Sequence, residues 1–169
     1  ITTGGSEAVL YAFMACLNPG DEIIVPEPAY ANYMAFAITA GAVIRSLPST
    51  IESGFALPHI DDFEQLINEH TKGILICNPN NPTGVLYDTQ VLMDMLEVAR
   101  QHNLVVFSDE IYDRLVMDGL EHISTASLAP DLTVVTMNGL SKSHSLCGYR
   151  CGWMVITGPR EQAQDYRNG

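Results

Sequence analysis

The chain has 169 residues, 47% of them hydrophobic and 17% charged, enough apolar material for one packed domain and too ordered a composition for a disordered chain. Twenty acidic against eight basic residues give a net charge of −12, which argues against a nucleic-acid partner, whose phosphates need a basic face. No apolar run reaches the length of a membrane span and no signal peptide is visible.

In chain order, Ile1–Thr3 reads as the tail of a strand, and Gly4-Gly5-Ser6 joins it to a helix. Glycine there lets an anion approach the backbone, and the free N–H groups of a helix start favour negative charge, with the Ser6 hydroxyl beside them. The same residues would also serve as an ordinary helix cap, with Glu7 in the first turn. Ser6–Leu17 carries apolar residues at helical spacing and is stopped by Asn18-Pro19-Gly20-Asp21. A strand at Glu22–Val25 leads into PEPAYANY, where Tyr30 offers a flat face to a planar ring, or to the core. Tyr30–Ala40 is a second helix, Val43–Leu47 a strand, and Ile60–Asn68 a third helix with Asp61 and Asp62 in its first turn.

The strand Gly73–Cys77 runs into NPNNPTG at 78–84, a loop stiffened by two Asn-Pro steps, from which Asn81 could donate to a ligand oxygen. Thr89–His102 is the longest helix, ended by Asn103. Leu104–Ser108 is a strand that delivers SDEIY: Asp109 can pair with a protonated ring nitrogen, and the Tyr112 hydroxyl with a neighbouring oxygen. Thr133–Met137 leads to MNGLSKSHSLCGYR, where Lys142 lies between Ser141 and Ser143. A lysine near a second cation can become nucleophilic, and Arg150 nearby suits a phosphate dianion. Gly152–Thr157 is a further strand, and EQAQDYRNG reads as an interrupted polar helix.

This alternation argues for an α/β fold, a mostly parallel sheet with helices on both faces. Ligands of such sheets gather at the carboxyl ends of the strands, where Tyr30, Asn81, Asp109 and Lys142 all fall. Cys16, Cys77, Cys147 and Cys151 form no CxxC pair; buried small hydrophobes and a reducing compartment are expected. His59, His70, His102, His122 and His144 show no metal-ligand spacing, so no metal site is expected. The chain opens on Ile1 almost inside a motif, and a piece of a longer protein is expected.

GGSEA, LNPGDEIIVPEPAY, NPNNPTG, SDEIYD and NGLSK with GYRCGW closely resemble the class I/II aminotransferases, pyridoxal phosphate enzymes of fold type I, and the resemblance runs over essentially the whole chain. It implies a seven-stranded large domain over residues 1–169, its last strand, near Gly152–Thr157, antiparallel, with an N-terminal arm and a C-terminal small domain beyond it. It implies that Lys142 binds pyridoxal 5'-phosphate as a Schiff base and then moves the substrate proton. It further implies that Asp109 keeps the pyridine nitrogen protonated, that Tyr112 and Asn81 bond the phenolic oxygen, and that Tyr30 stacks on the ring. Gly5, Ser6 and Arg150 would hold the phosphate, with Ser141 a further contact. Cis peptides are expected before Pro28 and Pro82. The reaction implied transfers an amino group between an L-amino acid of aspartate or alanine type and a 2-oxo acid, in a cytoplasmic homodimer with no nucleic-acid or membrane partner.

Two departures stand out. Gly139 lies where many relatives carry a hydroxyl, which leaves one phosphate contact absent or supplied by backbone. The family's arginine for the substrate carboxylate, and the tyrosine that reaches the neighbouring subunit's phosphate, are expected outside residues 1–169. Rival readings are a carbon–sulfur β-lyase, which often carries DEIH where this chain has DEIY, and a non-catalytic binding module on the same scaffold, which the intact Lys142 opposes. A dinucleotide-binding domain is disfavoured because no GxGxxG follows the first strand.

Overall fold

The computed structural model describes residues 1–159; the polar helix expected near the C-terminus lies outside the described residues. One seven-stranded sheet organises the chain. Its strands are β1 (Thr2–Thr3), β2 (Glu22–Glu27), β3 (Val43–Pro48), β4 (Thr71–Cys77), β5 (Val105–Asp109), β6 (Val134–Gly139) and β7 (Cys151–Thr157). They lie in the order β1-β7-β6-β5-β4-β2-β3. β2, β3, β4, β5 and β6 pair in parallel, and β7 is antiparallel to both β6 and β1, as the resemblance implied.

Strand side chains alternate between two cores, because successive residues point to opposite faces. Ile23, Val25, Leu75, Cys77, Val105, Phe107, Val135 and Met137 face α1 (Gly5–Cys16) and α2 (Asn32–Ala40). Ile24, Ile74, Ile76, Val106 and Val134 face the other side, covered by α3 (Ile60–Leu66) and α4 (Thr89–Gln101), with the short α5 (Thr125–Leu128). α1 buries Ala8, Val9, Ala12 and Phe13 along one stripe, and Phe13 meets Phe107 edge-on at 5.3 Å between ring centroids. α4 buries Leu92, Met95, Leu96, Val98 and Ala99, and the Asp88 carboxylate caps it by accepting from the Gln90 N–H at 2.8 Å.

Several boundaries differ from expectation for local reasons. The Tyr30 carbonyl accepts from the Tyr33 N–H in a turn, so α2 begins at Asn32. The Asn68 side chain accepts from the His70 N–H, and the Asn68 backbone N–H donates to the Thr71 hydroxyl; these bonds close a turn and α3 stops at Leu66. Strand β5 runs on to Asp109 because that residue pairs with Cys77 on one side and Met137 on the other. The cysteines also depart from expectation. Cys77 is buried, Cys16 and Cys151 are half-buried, and Cys147 is exposed, because it sits in a turn after β6 rather than in the core.

Candidate active site

The carboxyl ends of β4, β5 and β6 and the start of α1 surround a cavity of about 310 Å³. Gly5, Ser6, Tyr30, Asn81, Asp109, Tyr112, Ser141, Lys142 and Arg150 all line it. Every residue singled out from the sequence is therefore brought to one place. Val9, Tyr33, Cys77, Ile111 and Cys147 complete the wall.

Parity along β5 decides which acid enters the cavity. Asp109 shares the face of Val105 and Phe107 and lines it; Ser108 and Glu110 turn to the opposite face. Asp109 is 8% exposed. Its Oδ2 accepts from the Tyr33 hydroxyl at 2.6 Å and its Oδ1 from the Ile111 N–H at 3.1 Å. Burial raises its pKa above the ordinary carboxylate value, against the lowering effect of those two donors. No cationic partner stands beside it among the described residues. It is a buried carboxyl whose charge would be stabilised by a cationic ligand.

Beneath the sheet, Glu110 is 3% exposed. Its Oε1 accepts from the Ser108 hydroxyl, the Ser124 hydroxyl and the Thr125 N–H at 2.9–3.1 Å. The His122 Nε2 lies 3.8 Å from its other oxygen.

The cationic part of the cavity lies at its mouth. Lys142 sits in α6 (Leu140–Ser143), the turn that follows β6, and is exposed, with its Nζ 5.7 Å from the centre of the Tyr112 ring. No carboxylate pairs with it or with Arg150 among the described residues. Arg150 adopts a left-handed backbone, φ 50 and ψ 45, uncommon for a residue with a side chain, and its Nη1 donates to the Cys147 carbonyl at 3.0 Å. Ser143 is spent on the Gly139 carbonyl and His144, whereas the Ser141 hydroxyl and the Ser6 hydroxyl make no hydrogen bond among the described residues.

Three glycines let these parts meet. A Cβ on Gly4, whose φ is 81, would overlap the Arg150 guanidinium. A Cβ on Gly152 would lie 2.7 Å from both the Gly4 carbonyl oxygen and the Gly5 nitrogen. A Cβ on Gly139 would lie 2.8 Å from the Cys151 carbonyl oxygen. Gly139 therefore stands where a hydroxyl residue would not fit against β7, which explains the departure noted in the sequence. The close approach joins the α1 start, α6 and Arg150 into one donor-rich cradle suited to a phosphate. Glu7 closes the helix start by accepting from the Thr3 N–H at 2.6 Å, so Ser6 is not needed as a cap.

Tyr30 flanks the cavity with its hydroxyl held by Asn32 at 2.8 Å, and its ring meets Tyr33 edge-on. Asn81 is carried by the loop after β4, where Asn80 accepts from the Thr83 N–H and hydroxyl and Asn78 from the Tyr87 N–H. The Glu27–Pro28 and Asn81–Pro82 peptides are cis as expected, and so is Asn78–Pro79. Burial pushes the Cys77 thiol up to about 12, so it lines the wall as a neutral group. The second tyrosine of PEPAYANY, three residues beyond the first, was the available sequence signal for Tyr33; nothing local ties it to Asp109. The arrangement fits a flat ring carrying a cationic nitrogen at one end and a phosphate at the other.

Comparison with known proteins points to one family. The family described as aminotransferase class I and II matches residues 1–164. The chain is similar to glutamate-pyruvate aminotransferase AlaA of Escherichia coli strain K12, 46% identical over all of this chain and 42% of that protein. A solved aminotransferase structure from Escherichia coli superposes with a TM-score of 0.94 at 44% identity, covering 99% of this chain and 41% of that one. The aspartate aminotransferase of Thermus thermophilus, solved with maleate, gives 0.88 at 35% identity, covering 99% and 42%. The chain thus spans about two-fifths of the length of these relatives.

Proposed function

Because the chain belongs to the aminotransferase class I and II family, matched over residues 1–164, we propose that the whole protein is a pyridoxal-phosphate-dependent aminotransferase. It moves an amino group between an L-amino acid of alanine or aspartate type and a 2-oxo acid, in keeping with relatives named as glutamate-pyruvate, alanine and aspartate aminotransferases. The observation that carries this reading is the pairing of an amine and a buried acid across one cavity: Lys142 at the mouth, Asp109 in the wall, and a phosphate-type cradle beside them.

Pyridoxal phosphate, when bound, supplies an electron sink for the bonds at a substrate α-carbon. The chain's own residues divide the remaining work. Ser6, Ser141, Arg150 and the first N–H groups of α1 would hold the phosphate. Asp109 would accept a hydrogen bond from the ring nitrogen and stabilise its proton. Tyr112 and Asn81 would donate to the phenolic oxygen, and Tyr30 would cover a ring face. Lys142, with no carboxylate paired to it among the described residues, would offer its Nζ as the attachment point for the cofactor and as the base for the α-proton.

Lys142 and Arg150 are the cations that line the cavity among the described residues, and both are engaged in this scheme. The substrate carboxylate is accordingly held by a group elsewhere in the whole protein. The free cysteines fit a reducing, cytoplasmic setting. Exposed Tyr11 and Met14 on α1, with Met34 and Ile38 on α2, leave apolar surface for the rest of the protein or the second subunit of a homodimer to cover.

The test is chemical trapping in the full-length protein. Borohydride reduction fixes the cofactor on the peptide containing Lys142, and Lys142→Ala loses both the visible absorption band and the trapped mass. Trapping at another lysine overturns the assignment. Amino-group transfer from alanine or aspartate to 2-oxoglutarate completes the test, and release of a thiol from cystathionine instead would favour the lyase.

A further inference from the structure

We propose that Tyr33 is the positioning residue that keeps Asp109 an anion ready for the cofactor's ring nitrogen, an inference that rests on the cofactor reading above. Tyr33 is 1% exposed, seated in the core between α2 and the sheet. Its hydroxyl is 76 residues in sequence from the carboxylate it meets, and the bond is 2.6 Å long and buried. A phenylalanine would fill the same apolar space without placing a hydroxyl there, and a buried hydroxyl costs free energy unless it is paired. The hydroxyl is paired with Asp109, one of the two acids buried at the end of β5.

The chemistry runs in one direction. Burial, reinforced by the Asp109 charge, pushes the Tyr33 hydroxyl well above its ordinary pKa, so it keeps its proton and acts as a donor. Its hydrogen bond lowers the Asp109 pKa against the effect of burial, and the Ile111 N–H does the same on the other oxygen. Each carboxylate oxygen therefore has one fixed donor, which favours the ionised form and leaves its remaining lone pairs for a cation. The same Tyr33 ring braces Tyr30 edge-on, 5.4 Å between centroids at 88°. One side chain thus sets both the acid expected at the ring nitrogen and the tyrosine expected at the ring face.

The experiment compares Tyr33→Phe with the natural full-length protein for two ligands: pyridoxal 5'-phosphate and its 1-deaza analogue, which has carbon in place of the ring nitrogen. Affinities are read by equilibrium dialysis. Loss of a hydrogen bond to a charged group corresponds to roughly a ten- to hundredfold weakening, and it is expected for pyridoxal phosphate alone. The analogue, with no nitrogen to protonate, should bind the variant and the natural protein about equally. A 15N-labelled cofactor should also shift toward the unprotonated position in the variant. Equal weakening of both ligands would reduce Tyr33 to packing, including the case in which the variant misfolds. Unchanged binding of both, with an unchanged nitrogen shift, would show that the hydroxyl is irrelevant. If the natural protein binds neither ligand, the cofactor reading fails, and this proposal with it.

Discussion

Asp109 is an acid that the fold buries without supplying a cation to neutralise it. Burial raises its pKa from the ordinary 3.8, and the Tyr33 and Ile111 donors oppose that rise without cancelling it. In the cofactor-free protein the folded state therefore holds the proton more tightly than the unfolded chain. Stability contributed by the protonated form is complete below the unfolded pKa and is lost as pH rises through the higher folded one. Asp109→Asn removes that loss. Cofactor-free Asp109→Asn in the full-length protein should melt higher than the natural protein at neutral pH, and the gap should close toward pH 4. With cofactor bound the order should reverse and turnover should fall steeply. A gap that persists unchanged at low pH would mean that the gain does not come from removing the Asp109 charge. At this scale the sequence was legible where motif and strand end coincide, as at Asp109, Asn81 and Lys142. It was silent on the bond between Tyr33 and Asp109, because a contact across 76 residues leaves no local pattern.

At the scale of elements, the phosphate cradle depends on how closely three pieces of backbone approach. β7 enters between β1 and β6 with Gly152 opposite Thr2 and Gly139, and Gly4 turns away directly above it. Gly152→Ala would press a methyl against the Gly4 carbonyl and the Gly5 nitrogen. Overpacking of this kind costs about 1–3 kcal/mol, and the backbone that must yield is the start of α1. The variant should lose melting temperature. It should also lose much of the advantage of pyridoxal 5'-phosphate over unphosphorylated pyridoxal in binding. If the ratio of the two affinities is unchanged, the glycine serves packing alone. Element types were readable because α4 and the buried strands have clear periods, whereas their ends were set by competing side chains such as Asn68 and by cross-strand pairing at Asp109. The short α5 and α6, each of four residues, carry too few positions to show a period.

Across the whole molecule, one sheet separates two cores and gathers the candidate site at one edge, an arrangement the alternation of strands and helices already implied. The two faces communicate through adjacent residues of opposite parity. Glu110, held beneath the sheet by Ser108, Ser124 and Thr125, touches nothing in the cavity. Its charge nevertheless adds to the effect of burial in raising the Asp109 pKa. Glu110→Gln keeps an oxygen for the same three donors and removes the charge. The Asp109 titration, followed by carbon NMR in the cofactor-free full-length protein, should then move to lower pH; a titration that stays in place would show that the sheet screens the two acids from one another. The far side of the sheet thus works as a tuning screw. Substitutions there could retune the acidity of a catalytic centre, and with it the pH at which the centre works best, while every atom that meets a ligand stays where it is.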